Sequence, residues 1–270
     1  MHALGQIDEW PVGHAAAAMI DRRGAVTVHG DQDREFDLAS VTKLLTAAAV
    51  HVAHDEGTID LDAPVDELDG ATGGDLLAHS SGLGPDHTAP RTEPGRRRIY
   101  SNPGYETAAR LVSRQAGFSF VDYLTEAVVE PLAMTATSLP GSPAAGGRTS
   151  VADLVGFVTA LRDGRLLSAE ATARMTTTHR PELAGVVPGY GRHQPNPWGQ
   201  GPEIRGHKQP HWTGERNSAA TWGHFGQTGT LVWHDPLVEV SLVVLTDEPF
   251  GEWALPRWPQ LADAVLMTSA

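Results

Sequence analysis

Three residues after Ser40 stands Lys43, one of only two lysines (with Lys208) in a 270-residue chain that carries eighteen arginines. The stretch Ser40-Val41-Thr42-Lys43-Leu44-Leu45 opens an apolar segment, so the lysine belongs in a half-buried setting. Arginine keeps its proton in a protein, whereas a desolvated lysine can lose its own and act as a base. On a helix, residues three apart share a face, which brings the Lys43 amine to the Ser40 hydroxyl. The spacing predicts Ser40 as an activated nucleophile and Lys43 as its proton acceptor. A surface serine beside a snorkelling lysine is the competing reading of these two residues alone.

Acyl transfer also needs donors for an oxyanion and a proton source for the leaving group. Ser40 offers its own N–H at the positive end of the helix it begins. Tyr100-Ser101-Asn102 precedes a helix start. Its phenol can shuttle protons, and a neighbouring Lys⁺ is expected to favour the ionised form. His224-Phe225-Gly226-Gln227-Thr228-Gly229 falls at the junction of two strand-like runs. Its glycines allow close approach of backbone to a ligand, and edge-strand N–H groups there can complete an oxyanion hole.

The elements that must hold these groups follow from pattern. Ala15 to Ile20 and Ala25 to His29 flank Asp21-Arg22-Arg23-Gly24 and read as a β-hairpin. A helix is expected from Ser40 to about Asp55, ended by Gly57. Pro103 is suited to the first position of a helix that stops before Gly117. Ser119 with Asp122, and Ser150 with Asp153, can cap two more, and a short helix starts at Ser168. Pro181 to Asn217, rich in Gly, Pro, Trp, His and Arg, reads as irregular. Ala220 to Phe225, Thr228 to His234 and Leu237 to Thr246 read as strands, the last two antiparallel around Asp235-Pro236. An amphipathic helix over Trp258 to Met267 closes the chain. The order predicts an α/β (α+β) fold in which an antiparallel sheet is flanked by helices. Residues 1–57 and 181–270 form the sheet lobe, 58–180 a mostly helical inserted lobe, and the seam between them is the place for a ligand cleft.

Ser40-Val41-Thr42-Lys43, Tyr100-Ser101-Asn102 and His224-Phe225-Gly226 resemble the three active-site boxes of the serine beta-lactamase and penicillin-binding-protein superfamily. They are most similar to its branch of class C beta-lactamases, D-aminopeptidases and family VIII esterases. Gly57 to Val65, Asp75 to Leu83, Glu130 to Thr137 and Gly147 to Leu154 also resemble family segments in the family's order. Together these segments span about Phe36 to Pro236. The resemblance implies an acylated Ser40, Lys43 as its general-base partner, and Tyr100 in proton transfer to the leaving group. It further implies an oxyanion hole from the N–H groups of Ser40 and Gln227. Asn102 would bond Lys43 or substrate, and His224, Phe225 and Gly226 would line the substrate site. In the third box His224 stands where lactamases and carboxypeptidases usually carry lysine. A permanent cation suits a substrate carboxylate, while histidine is mostly neutral near pH 7, so uncharged esters or amides are expected over lactams.

A formal charge of −13 argues against nucleic-acid or anionic-membrane partners. The run Arg96-Arg97-Arg98 is expected to be a solvated loop. Zero cysteines exclude disulfides and thiolate metal sites. No stretch approaches the roughly 18 apolar residues of a membrane span. Without the basic head and apolar run of a secretory signal in MHALGQIDEWPVGH, a cytoplasmic location is expected. His51 with His54, and His207 with His211, have helical spacing but no adjacent carboxylate in a recognised pattern, so no metal is expected, nor any cofactor. His79 is read as a structural hydrogen-bonder. Trp198, Trp212, Trp222 and Trp233 are read as core packing, with one or two of them able to line an acyl pocket. Glu203 and Asp235 can help a pocket, with nothing to distinguish them from surface carboxylates. The sequence thus predicts a serine hydrolase taking a small ester, amide or lactam, with carboxylesterase activity favoured. Beta-lactamase or D-amino-acid peptidase or transacylase activity on the same site, a ligand-binding relative without turnover, and a metal-dependent hydrolase are its rivals.

Overall fold

Strand-forming runs from both ends of the chain meet in one antiparallel sheet of six strands. The computed structural model describes residues 3–86 and 89–269; Met1 and His2 of the N-terminal stretch lie outside them. The expected hairpin forms as β1 (Ala15–Ile20) and β2 (Val26–His29). The three C-terminal runs become β8 (Trp222–Gly226), β9 (Thr230–Asp235) and β10 (Val240–Thr246). With β7 (Glu203–Ile204), their order across the sheet is β2-β1-β10-β9-β8-β7. Asp235 does turn the chain between β9 and β10, its side chain accepting from the N–H groups of Leu237 and Ser218. It is fully buried, not a surface carboxylate.

Both faces of this sheet are covered, which is why its central strands read as continuous apolar runs. Alternation divides β1 between two cores. Ala16, Ala18 and Ile20 join Val232, Val243 and Leu245 on the face toward α1 (Thr42–Asp55) and α5 (Val151–Arg162). Ala17 and Met19 join Leu231, Trp233, Leu242 and Val244 on the other. There they pack under α7 (Ala254–Thr268) and a 3₁₀ helix, Ala3–Glu9, that contributes Leu4 and Ile7. Trp212 and Trp233 pack in this second core and Trp222 in the first. The terminal helix begins at Ala254, four residues before Trp258. Pro256 lies in its first turn, where a missing N–H costs nothing, and only Pro259 lies deeper.

Between the outer strands the chain is largely helical. α2 (Gly73–Leu77), unforeseen, is closed by a capping box of Thr72 and Asp75. α3 (Asn102–Ala116) is capped by Ser101, which places Pro103 at its second position, and it ends at left-handed Gly117. α4 (Phe120–Leu124) is capped by Ser119 and runs on into a π-helical turn, Thr125–Val129. Ser150 and Ser168 cap α5 and α6 (Ala169–Thr176). The segment read as irregular holds a small hairpin, β5 (Gly185–Val187) and β6 (Gly191–His193), besides β7. A further two-stranded pair joins β3 (Phe36–Asp37) to β4 (Arg148–Thr149). The expected solvated loop is only partly so. Arg96 and Arg97 are exposed, but Arg98 is buried, donating to the carbonyls of Ala78, His179, Arg180 and Asn196. One guanidinium thus fixes three loops that border the site.

The turn that presents Ser40 is held by the strands behind it. Thr228 Oγ1 donates to the Asp37 carbonyl (2.6 Å) and Thr230 Oγ1 to that of Leu38 (2.9 Å). Gly226 is a glycine because a β-carbon there would run into the Leu38 carbonyl oxygen and Thr230 Oγ1. Gly226→Ala is therefore expected to cost about 1–3 kcal/mol in urea unfolding, as overpacking does, and to lower reactivity at Ser40. Unchanged stability and reactivity would show that this contact does not position the turn.

Candidate active site

α1 is apolar on every side, and eleven of its fourteen residues are buried. A helix of that kind belongs inside a protein, and it takes Lys43 with it: the side chain is fully buried. Ser40 is not on the α-helix as expected. It lies on the single 3₁₀ turn Ala39–Val41 that leads into it, behind Ala39 at φ +43°. A left-handed alanine is strained, and the strain falls one residue before Ser40. The i, i+3 proximity survives, with Lys43 Nζ 3.3 Å from Ser40 Oγ.

Two further oxygens surround the amine. Lys43 Nζ donates to Asn102 Oδ1 (2.8 Å) and to the Ala144 carbonyl (2.8 Å). Asn102 is delivered by the start of α3, and Ala144 by a loop laced to α1 through Thr46 Oγ1 to the Pro143 carbonyl (2.6 Å). In the ammonium form the third N–H points at Ser40; in the neutral amine that direction is free for the lone pair. Burial lowers the Lys43 pKa to about 7, with Glu106 pulling weakly the other way. The neutral amine is then accessible near pH 7.

Tyr100 lies over this amine, its ring centroid 4.7 Å from Lys43 Nζ. The expectation that Lys⁺ would ionise the phenol fails. Burial raises the Tyr100 pKa far enough to keep it protonated, although the Ser40 hydroxyl beside it lowers it somewhat. The phenol makes no well-aligned hydrogen bond. His79 packs against it with centroids 4.5 Å apart and accepts from the Ser101 N–H (3.0 Å) through Nδ1. It therefore fixes the second box in place, and burial keeps it neutral.

The third box lies on β8. Its neighbour β7 pairs only with Trp222 and Gly223, so from His224 onward the outer side of β8 is open. His224 is buried and its Nδ1–H donates to the Phe225 carbonyl (2.7 Å). Burial and then the nearby Lys43 lower its pKa to about 3, so the ring is neutral. Gln227 is anchored by its side-chain amide, which donates to the Phe250 carbonyl (3.1 Å). Ser40, Tyr100, His224, Phe225 and Gln227 line one cavity of about 90 Å³, together with Val187, Pro188, Trp198 and Glu203. A larger depression of about 670 Å³ lies between the end of α1 and α3 and shares no residue with this group; size alone does not mark the site.

Glu203 is a buried ion-pair centre and not a surface carboxylate. Its Oε1 meets Lys208 Nζ at 2.5 Å and His211 Nε2 at 3.2 Å, and Oε2 accepts from Trp212 Nε1 (2.7 Å). Burial by itself would raise the carboxyl, but Lys208 and His211 hold it well below the usual range. The second lysine of the chain is thus as buried as the first, a signal its rarity already carried. Ala144 and Glu106 had no such signal, since one contributes only backbone and the other is one carboxylate among many. His51 Nε2 donates to the Gln200 carbonyl (2.8 Å), and among the described residues no cluster of three potential metal ligands occurs.

The chain matches the beta-lactamase family over residues 8–266 and belongs to it. Members of this family are serine hydrolases and acyltransferases that act on small esters, amides and lactams. A beta-lactamase from Mycobacterium bovis is 48% identical, with a TM-score of 0.96 and 99% of each chain covered. A mutant simvastatin synthase from Aspergillus terreus shares the fold at 18% identity (TM-score 0.80, covering 98% of this chain and 93% of that one). So does a D-amino acid amidase from Ochrobactrum anthropi SV3, solved with L-phenylalanine, at 18% identity (TM-score 0.77, 98% and 96% covered). None of the curated proteins compared with the chain matches it. The beta-lactamase-like fold expected from the sequence is the one observed. Among the described residues no helix is long and apolar enough to cross a membrane.

Two outcomes follow from these buried amines. If Lys43 must be neutral to act, the rate of Ser40 acylation rises with pH through about 7 and then levels. A rate flat from pH 5.5 to 8.5 would remove Lys43 as the base. Lys208→Met leaves the Glu203 carboxylate without its cation and is expected to cost about 3–5 kcal/mol in urea unfolding.

Proposed function

We propose that this protein is a carboxylesterase that passes through an acyl-enzyme on Ser40. The observation that carries the reading is the Lys43 amine, buried and bonded at once to Ser40 Oγ, Asn102 Oδ1 and the Ala144 carbonyl. Neutral Lys43 accepts the Ser40 proton as Oγ attacks the ester carbonyl. The N–H groups of Ser40 and Gln227 receive the oxyanion. Tyr100, held protonated, gives its proton to the departing alkoxide and regains one from Lys43. Water then hydrolyses the acyl-serine, or another acceptor takes the acyl group. Asn102 orients Lys43, while His224, Phe225 and Gly226 form the wall against which substrate rests. On this reading the cleft lies between a sheet lobe, 1–57 and 181–270, and a helical lobe, 58–180.

Preference for uncharged esters rests on His224. It is neutral where a lysine would attract a carboxylate. The second reading, lactam hydrolysis, is favoured by the 48% identity to a protein described as a beta-lactamase.

A fluorophosphonate probe is expected to label the protein once per chain and to fail on Ser40→Ala. Turnover of p-nitrophenyl butyrate should exceed that of a chromogenic cephalosporin by at least a hundredfold in kcat/KM, and Lys43→Ala should lose about a thousandfold or more of it, given what a positioned base contributes. The opposite substrate ratio would establish the lactam reading. Absence of labelling in folded protein would mean a binding protein without turnover.

A further inference from the structure

The cavity beside Ser40 is walled by polar atoms that the protein itself leaves unsatisfied. Trp198 Nε1 and His224 Nε2 are buried, belong to residues lining the cavity, and have no hydrogen-bond partner among the described residues. Unpaired buried polar groups are scarce and costly. Two around one cavity call for partners supplied by whatever fills it.

The polarity of both is fixed. An indole N–H only donates. His224 Nδ1 lies 2.7 Å from the Phe225 carbonyl oxygen, which only accepts, so Nδ1 carries the ring hydrogen and Nε2 of the neutral ring offers a lone pair. The Trp198 and His224 rings meet edge to face with centroids 5.5 Å apart, so the two unpartnered nitrogens belong to one ring pair on the same cavity. Glu203 adds an acceptor in the same wall. Its Oε1 takes Lys208 and His211, but Oε2 takes only Trp212 among the described residues, and a carboxylate oxygen has room for two bonds.

Resting on the acyl-enzyme reading above, we propose that this cavity selects substrates carrying an uncharged hydroxyl or amide near the scissile carbonyl, which accepts from Trp198 Nε1–H and donates to His224 Nε2. A plain alkyl group displaces water without replacing its hydrogen bonds. A carboxylate offers acceptors only, so it faces the His224 lone pair unpaired. Sites built to hydrogen-bond a substrate group reject analogues that lack it far more strongly than apolar pockets reject a missing methylene.

The test is a set of ethyl esters followed by pH-stat titration: butyrate, 3-hydroxybutyrate, N-acetylglycinate and the monoester of succinate. The hydroxyl or the amide ester is expected to exceed butyrate at least tenfold in kcat/KM, with the succinate monoester below butyrate. Trp198→Phe, which keeps the ring and removes the N–H, should shrink that advantage at least fivefold. Equal rates for the polar and alkyl esters, a preference for succinate, or an advantage undiminished in Trp198→Phe each overturn the proposal. Calorimetric binding of ethyl 3-hydroxybutyrate and ethyl butyrate to Ser40→Ala separates this idea from the esterase reading. Tighter binding of the hydroxy ester without turnover by the unmutated protein sinks the esterase and keeps the selectivity. Turnover with no discrimination does the reverse, and equal binding with no turnover sinks both.

Discussion

A primary amine withdrawn from water loses much of its preference for the charged form, and the site is arranged around that single cost. α1 is apolar on every side, so the Lys43 side chain has no path to solvent along its own helix. The groups that meet it are oxygens without formal charge, from Ser40, Asn102 and Ala144. The nearest carboxylate of consequence, Glu106, is engaged by Ser142 Oγ at 2.8 Å and only nudges the amine upward. Had that carboxylate bonded Lys43 directly, the amine would remain an ammonium at neutral pH and could not accept a proton from serine. Lys208 shows the alternative arrangement in the same molecule, clamped to Glu203 as a structural ion pair.

The same burial keeps the neighbours neutral. It lowers the pKa of His79 and His224, and Lys43 in its charged form lowers both further. It also holds the Tyr100 phenol in its protonated form. The cavity beside Ser40 is consequently short of mobile charge, apart from the well-compensated Glu203. On the proposed reading, its selectivity comes from the direction of hydrogen bonds more than from net attraction.

Much of this was legible in the chain because it is local. An i, i+3 pair, a proline at a helix start and a histidine beside glycines at a strand junction each declare themselves within a few residues. The six-stranded sheet was legible except for β7, where two residues, Glu203 and Ile204, give too short a run for alternation to register. Arg98 misled because a basic triplet looks solvated, and only the carbonyls of four separate loop positions explain its burial. The left-handed Ala39 carries no signal in its side chain at all. It moves Ser40 off the helix that spacing had assigned it to. The backbone partner at Ala144 was equally invisible, since carbonyls have no letter in the sequence.

The threonines behind the Ser40 turn tie it to residues almost two hundred positions away: Thr228 to Asp37 and Thr230 to Leu38. During synthesis Ser40 and Lys43 leave the ribosome long before those partners exist. Contacts so distant in sequence form late, after the loop-closure entropy of the whole intervening chain has been overcome. A nascent or prematurely terminated chain lacking β9 thus holds Ser40 and Lys43 but not the frame that positions their turn.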